Sequence, residues 1–459
     1  MNSSSSSTSN QSHSLKFIEP QDHLNHYPIS SQSDLNPTSS GHRISYLLLE
    51  LPPVLLNPIK EQLNNPSNQN QNQLELRGRL EDDLVLTTKD KTYSLRTIQN
   101  SNSVMICKTI PDSININLSS LEVLQTVNET IEIFDVTSFP GTRLERIKEL
   151  LQPWSYSGED EEEKRMGYMN DDDHSIEPIT FQSLSNETRA SDEEIKQFLS
   201  VLNVIKLKDS LRILNLSYLA EILKEIIDSS LELGFKLDEP FMIEPLVEIV
   251  SVKMNISTSV LLQVLSWYDT RQASTTETPQ DLSLDSKTTI SFDINKIVTV
   301  IGLSLLLSIK PTQVEPMNPR NNKTIQTTPI ESFLTDWKTR IGEPYSDQYC
   351  SIDSLKTHSI ISSDQKNLII VPIEKLSSEP KTRMSQLFEI RNKWKMEELE
   401  RFVKPITGGG VKKQMDELVL KYCRKIREKE SIKVLDASLT KEFKMETVDV
   451  VWLTARNNW

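Results

Sequence analysis

Residues 191–216 read SDEEIKQFLSVLNVIKLKDSLRILNL, and three signals in that run decide the reading of the second half of the chain. Ser191 with Glu194 three positions on is a capping box, which satisfies two of the amide donors that a helix start leaves open. Ile195, Phe198, Leu199 and Leu202 follow at the spacing of one helix face. VIKL and LRIL then flank Lys208-Asp209-Ser210, so the order is helix, strand, tight turn, strand. This is the ending of a winged-helix module, in which the hairpin is the wing. Generic α+β packing gives the same order.

Working outward, a second unit of this kind runs over residues 241–345. It holds the stripe Leu261, Val264, Leu265 and Tyr268, the polar loop TETPQDLSLDSK, and the apolar run IVTVIGLSLLLSI at 297–309. That run is far shorter than the ~20 residues a bilayer needs, so it reads as a buried helix. A third unit opens near Ile330 with ESFLTDWKTRIG and is assigned residues 346–459, ending on the strand TVDVVWLTA. Toward the N-terminus, residues 44–134 change character. ISYLLLEL, LELRGRL, LVLTT, TYSLRTI, SVMICKTI and ETIEIFDV are short runs of β-formers separated by polar breaks. Tyr93, Leu95 and Thr97 alternate with Thr92, Ser94 and Arg96, as in a strand with one dry face. The helix RLERIKELLQPW, with Leu144, Ile147 and Leu151 on one side, closes this β-module.

The expected organisation is therefore α+β and multidomain: a disordered tail over 1–41, a β-barrel module with its closing helix over 42–152, an acidic linker over 153–176, and three winged-helix domains over 177–240, 241–345 and 346–459. The tail is rich in Ser, Asn, Gln and His and cannot bury enough surface to offset its ordering entropy. It lacks the basic start and apolar run of an export signal. Cys107, Cys350 and Cys423 show no paired spacing, which points to a reducing compartment.

The chain of 459 residues has a net charge of −14, unevenly spread. GEDEEEKRMGYMNDDD at 158–173 carries eight acids and reads as solvated linker, whereas residues 381–430 hold fourteen basic and eight acidic side chains. TRMSQLFEIRNKWKMEELERF at 382–402 is the centre of that basic region. On a helix, Met384, Leu387, Phe388, Arg391 and Trp394 form a core stripe with Arg391 at its edge, and Glu389 pairs with Lys393 four residues on. The bland reading is a solvated helix face. Accumulation of Arg383, Arg391, Lys393, Lys395, Lys404, Lys412 and Lys413, followed by Lys421, Arg424, Lys425 and Arg427, favours summed positive potential for phosphates.

Catalytic signals are thin. His13, His23, His26, His42, His174 and His358 show no zinc spacing, and TGGGVKK at 407–413 lacks the spacing of a phosphate loop and reads as a hinge. No enzyme, cofactor or metal is expected.

YLLLEL, LELRG, LVLTTKDKTYSLRTIQNSNSVMI, RIKELLQPWSYSG, ASDEEIKQFLSVLNVIKLKDSLRIL and MSQLFEIRNKWKMEELERFV, in that order over residues 44–430, resemble the Dcc family of sister chromatid cohesion proteins. These are accessory subunits of the alternative, chromosome transmission fidelity, replication factor C clamp loader. The resemblance implies a nuclear, chromatin-associated protein whose N-terminal barrel pairs with the large ATPase subunit and a small third subunit, alongside the replication factor C small subunits. It implies winged helices that contact DNA and DNA polymerase epsilon, and a role in loading PCNA. Lys89, Lys91, Tyr93 and Leu95 are the β-module residues it assigns to the partner interface. It does not extend to the tail, the Asn/Gln loop at 64–73, the insertions at 270–287 and 310–328, or residues beyond 430. The alternatives are a winged-helix transcription regulator, which needs a recognition helix with several Arg, Asn or Gln for base edges, and an enzyme with unrecognised residues.

Overall fold

The computed structural model describes residues 15–18, 46–56, 74–78, 83–111, 119–135, 140–168, 179–271, 288–310, 326–362, 364–407, 412–435 and 443–456. They form two compact units, Met1–Val136 and Thr137–Trp459.

The first unit is organised by one hairpin, Thr92–Pro111 against Ser119–Asp135. TYSLRTI and SVMICKTI are halves of a single strand: the polar break between them is taken up as a register shift between Gln99 and Val104, where Asn100 Nδ2 donates to Thr130 Oγ1 at 2.6 Å. A bulge of this kind bends a strand without ending it. Glu75–Arg77 pairs with Val85–Thr87, which pairs with the start of the hairpin. The strand Ser119–Asp135 also takes Leu48–Glu50 and Leu15–Ile18, both parallel. Leu15–Ile18 lies in the stretch expected to be a disordered tail, whose remaining residues fall outside those described.

Among the described residues this sheet does not close, which corrects the expected barrel. Closure needs the outermost strands to pair with each other at a matching stagger. Here the order ends on Glu75–Arg77 at one side, and the three-residue Leu48–Glu50 lies on the opposite side of the hairpin. The dry core is small: Leu55, Leu86 and Tyr93, with Leu51, Leu74, Leu95 and Ile133 packed against them. Tyr93 is buried, Leu95 half-buried and Thr97 exposed, so the strand runs out of its own core within four residues. Leu47 and Leu76 are 75 % and 61 % exposed, and Val104, Met105 and Phe134 also face solvent.

Among the described residues of the second unit the element order helix, strand, helix, helix, strand, strand can be followed four times, the first time with the additional helix Glu159–Tyr168 after its strand. The first module comprises Pro140–Leu151, Ser155–Tyr156, Phe181–Glu187, Asp192–Val201, Val204–Leu207 and Ser210–Leu214. The second comprises Leu216–Glu232, Phe241–Met242, Glu244–Lys253, Thr258–Tyr268, a strand reduced to the bridge Asp269–Phe292, and Thr289–Ile290. The third comprises Ile294–Ser308, Thr327–Pro329, Ile330–Ile341, the broken Ser346–Tyr349 and Ile352–Leu355, then Ser359–Ile361 and Asn367–Ile370. The fourth comprises Pro380–Ile390, Lys393–Lys395, Met396–Val403, Lys412–Tyr422, Cys423–Leu435 and Phe443–Ala455. In the first, third and fourth modules the last strand lies in the middle of a three-stranded sheet.

Three modules are expected from the sequence, with other boundaries. The difference arises because the first helices of the second and third modules follow the previous strand with little linker, as at Leu214 and Leu216. The helix Pro140–Leu151 closes no β-module: Ile147 and Leu151 share a core with Leu184, Ala190, Ile195 and Leu199. Residues 345 and 346 sit within continuous packing. Leu355, Leu368 and Ile370 join the large central core, whereas Ile360 and Ile369 join the C-terminal one.

The capping box is as read: Ser191 N–H donates to Glu194 Oε2 at 3.0 Å, and Glu194 N–H donates to Ser191 Oγ at 3.3 Å. The apolar run is the buried helix Ile294–Ser308, and no described helix is long and apolar enough to cross a membrane. The acidic run, expected to be solvated linker, contains the helix Glu159–Tyr168 instead. Its Glu162 is buried against Arg212 at 3.1 Å, and the Arg212 guanidinium stacks over Trp154 at 4.8 Å. Four acids in its first turn complement the helix dipole.

The central core depends on one close approach. Trp337 is fully buried against Ile294–Ser308 and donates from Nε1 to the Val298 carbonyl at 3.2 Å. A Cβ on Gly302 would lie 2.4 Å from the Trp337 ring. Gly302→Ala is therefore expected to destabilise the second unit by about 1–3 kcal/mol. Chemical denaturation should show a lowered midpoint, and the smaller ring in Trp337→Phe should offset part of the loss.

Candidate nucleic-acid interface

Residues 382–402 are not one helix. Pro380–Ile390 ends at Arg391, whose φ of −147° is extended; Lys393–Lys395 is a strand; Met396–Val403 is a second helix. Helical and strand periods both place Trp394 beside Leu387, which is why the stretch reads as continuous. In the structure Trp394 enters the core from the strand and caps the first helix, donating from Nε1 to the carbonyls of Arg391 at 2.8 Å and Leu387 at 3.1 Å. Lys393 and Lys395, one position to either side, consequently point to the opposite face.

Arg383 leaves the candidate surface. It is 3 % exposed, and its guanidinium donates to the carbonyls of Phe402 at 2.6 Å, Ser377 at 3.1 Å and Leu376 at 3.2 Å. Those contacts tie the helix Pro380–Ile390 to the end of Met396–Val403 and to the chain entering the module. The side chain is structural because buried carbonyls need donors.

Three of the other four cations of the stretch, Arg391, Lys393 and Lys395, converge on Trp452, a residue the sequence reading treats only as part of a strand. Trp452 lies in the middle strand, opposite Lys395 on one side and Ile426 on the other. The Lys393 ammonium is 4.6 Å from its ring centroid, Lys395 5.3 Å, and the Arg391 guanidinium 5.6 Å. Arg391 pairs with Glu398 at 3.0 Å, and Lys393 pairs with Glu428 rather than with the expected Glu389. Alternation through Val451, Trp452 and Leu453 carries the signal for this face, since Leu453 is fully buried.

Along the neighbouring strand Arg424, Lys425, Arg427 and Lys429 are exposed, and Lys421 is exposed in the last turn of the helix before it. Lys404 is exposed on the turn Lys404–Ile406. Lys412 and Lys413 begin the helix Lys412–Tyr422, and their side chains lie outside the described residues. Cys423 is buried at the foot of the hairpin, and burial pushes its thiol up to about 12.

In the first unit, Lys89 and Lys91 are exposed on the turn where Thr88 N–H donates to the Lys91 carbonyl at 2.8 Å. Tyr93 is core, not surface, and Leu95 packs against it. The residues sequence reasoning missed here are the exposed leucines, Leu47 and Leu76.

The model of the sister chromatid cohesion protein Dcc1 family matches residues 46–403. The probable sister chromatid cohesion protein DCC1 of Dictyostelium discoideum is 23 % identical over 384 residues, covering 83 % of this chain and 91 % of that protein. Sister chromatid cohesion protein DCC1 of Homo sapiens is 23 % identical over 407 residues, 84 % of this chain and 87 % of that protein. The same-named protein of Saccharomyces cerevisiae is 27 % identical over 99 residues, 22 % of this chain and 25 % of that protein. Lys404 and Trp452 lie beyond the family match.

Arg383→Leu is expected to lower stability by on the order of 3 kcal/mol, because three carbonyls lose a charged donor. The readout is chemical denaturation. Cys423, held protonated by burial, should resist alkylation at about pH 8, where an ordinary thiol near 8.5 reacts. Its labelling in the native state should rise in Arg383→Leu and match the denatured chain when the module opens.

Proposed function

We propose that this chain, which belongs to the sister chromatid cohesion protein Dcc1 family, serves cohesion in the nucleus as a non-catalytic subunit of the alternative clamp loader that places PCNA on DNA. The observation that carries this reading is the unfinished first unit. Among the described residues its sheet is open, its core cluster is small, built on Leu55, Leu86 and Tyr93, and Leu47, Leu76, Met105 and Val104 face solvent. An open sheet with apolar side chains on its surface is completed by strands or apolar faces from other chains. In this reading they come from the large ATPase subunit and the small third subunit, and closing around them yields the barrel. Lys89 and Lys91 are exposed on the turn between two strands of that sheet. ATP hydrolysis then belongs to the other loader subunits.

The helical modules have the element order of winged helices and are read as such: grips for DNA and for DNA polymerase epsilon. In the fourth module the helix before the hairpin argues against a sequence-specific regulator. The helix Lys412–Tyr422 exposes Asp416, Glu417 and Leu420, which suit neither phosphates nor base edges. Nucleic acid is held by the basic hairpin of the fourth module, through phosphates and without sequence preference.

Two measurements test this. Leu47→Asp combined with Leu76→Asp should abolish co-purification of the other loader subunits while Cys423 stays protected from alkylation; intact assembly would sink the interface. Lys425→Glu with Arg427→Glu should weaken binding of unrelated DNA sequences alike and reduce the salt slope by about 2. An unchanged slope between roughly 50 and 200 mM salt would remove the hairpin from the contact.

A further inference from the structure

We propose that Trp452 is a base-stacking residue: the outer face of the fourth module's sheet takes single-stranded nucleic acid, one base on the indole, with Arg391, Lys393 and Lys395 on the adjoining phosphates. This rests on the nucleic-acid reading above and adds the kind of strand that the site selects.

The sheet has two faces. On the inner one Trp394, Cys423 and Leu453 are buried in the C-terminal core. Trp452, one position from Leu453, is on the other face at the centre of the sheet and makes no part of that core. Trp452 is half-buried, with the three cations over its ring and Ile426, 40 % exposed, beside it, so a base reaches the indole as the cations turn from the ring to the phosphates. A large ring on a sheet surface is a platform, and every base has a face that can stack on it.

The cations decide what kind of partner fits. Three positive groups lie within 5.6 Å of the ring centroid, and Arg424 is exposed two residues before Ile426 on the adjoining strand. Glu398 and Glu428 offset two of these charges and also hold the Arg391 and Lys393 side chains in place. The remaining sum is positive, which favours a polyanion over an apolar or acidic-patch-free peptide. Stacking separates single strands from duplex, since the base faces of a duplex are already covered by their neighbours. The helix that would enter a duplex groove, Lys412–Tyr422, exposes Asp416 and Glu417 instead. An acidic protein segment uses the same cations but has no base to lose.

The test is fluorescence anisotropy of the full chain with labelled oligothymidylate, the same strand carrying abasic sites, and a random-sequence duplex. Trp452→Ala should lower affinity for the single strand about 5- to 100-fold and leave the duplex unchanged, with Trp452→Phe restoring most of the loss. Wild-type protein should bind the abasic strand more weakly than the intact one, a comparison that needs no variant to fold. Glu428→Gln, which releases Lys393, should tighten single-strand binding. Protection of Cys423 from alkylation reports that the module stays folded. If Trp452→Ala affects single strand and duplex equally, or the abasic strand binds as tightly as the intact one, stacking is overturned while the phosphate-binding reading survives. If the wild-type chain binds none of the three at low salt, the nucleic-acid reading itself fails.

Discussion

A small module can cover one face of its sheet with helices; the second face needs something else. This constraint sets the character of the whole chain. In the third module the second face is covered by the next module: Leu368 and Ile370 pack into the central core while Ile369, between them, packs into the C-terminal core. The outer face of the fourth module presents Trp452 among cations. Among the described residues of the first unit the core behind the hairpin is small, and Leu47 and Leu76 remain in solvent. What each uncovered face carries, apolar side chains in one case and cations with an aromatic ring in the other, separates a protein-binding surface from a polyanion-binding one.

Burial sorts the charged residues more sharply than sequence position does. Arg383 and Lys393 are ten residues apart in one basic stretch, yet the first is enclosed by three carbonyls and the second reaches an exposed acid across the sheet. A guanidinium taken out of water is tolerable only when donors and acceptors match around it. Glu162 and Arg212 make the same point in the first module, where a pair fifty residues apart is enclosed with Trp154 over the guanidinium. Pairs of this kind add little net stability, but losing one partner leaves an uncompensated charge, so they fix how the acidic helix docks.

Local signals were legible and long-range ones were not. Ser191 and Glu194 announce their helix because both partners of the cap lie within four residues. The run 297–309 declares itself a buried helix by length and apolarity. The buried end of Glu159–Tyr168 could not be read from GEDEEEKR, since its partner Arg212 is distant in sequence. The strand Lys393–Lys395 was hidden because a five-residue break between two helices leaves the apolar positions where a continuous helix would also put them. Barrel closure was overread: alternation reports that a strand has one dry face, and says nothing about whether the outer strands meet. Of the interface, the basic cluster was visible as composition, while Trp452 needed the register that sets it beside Lys395.

A net charge of −14 does not prevent such a chain from holding nucleic acid, and the reason is range. At physiological ionic strength the screening length is about 8 Å, so a phosphate responds to the charges beside it and hardly to the total. Residues 381–430 carry fourteen basic against eight acidic side chains, and Arg383 and its carbonyl cage contribute little to the field outside. The exposed run Arg424, Lys425, Arg427 and Lys429 is met by Glu428 within the same stretch, leaving a net positive strip along one strand. Strand geometry then matters more than composition. Alternate residues of a strand face opposite sides, so the strip divides between the face of Trp452 and the face that leads to the core. A polyanion following the hairpin therefore meets cations on both sides, but meets an aromatic ring on one.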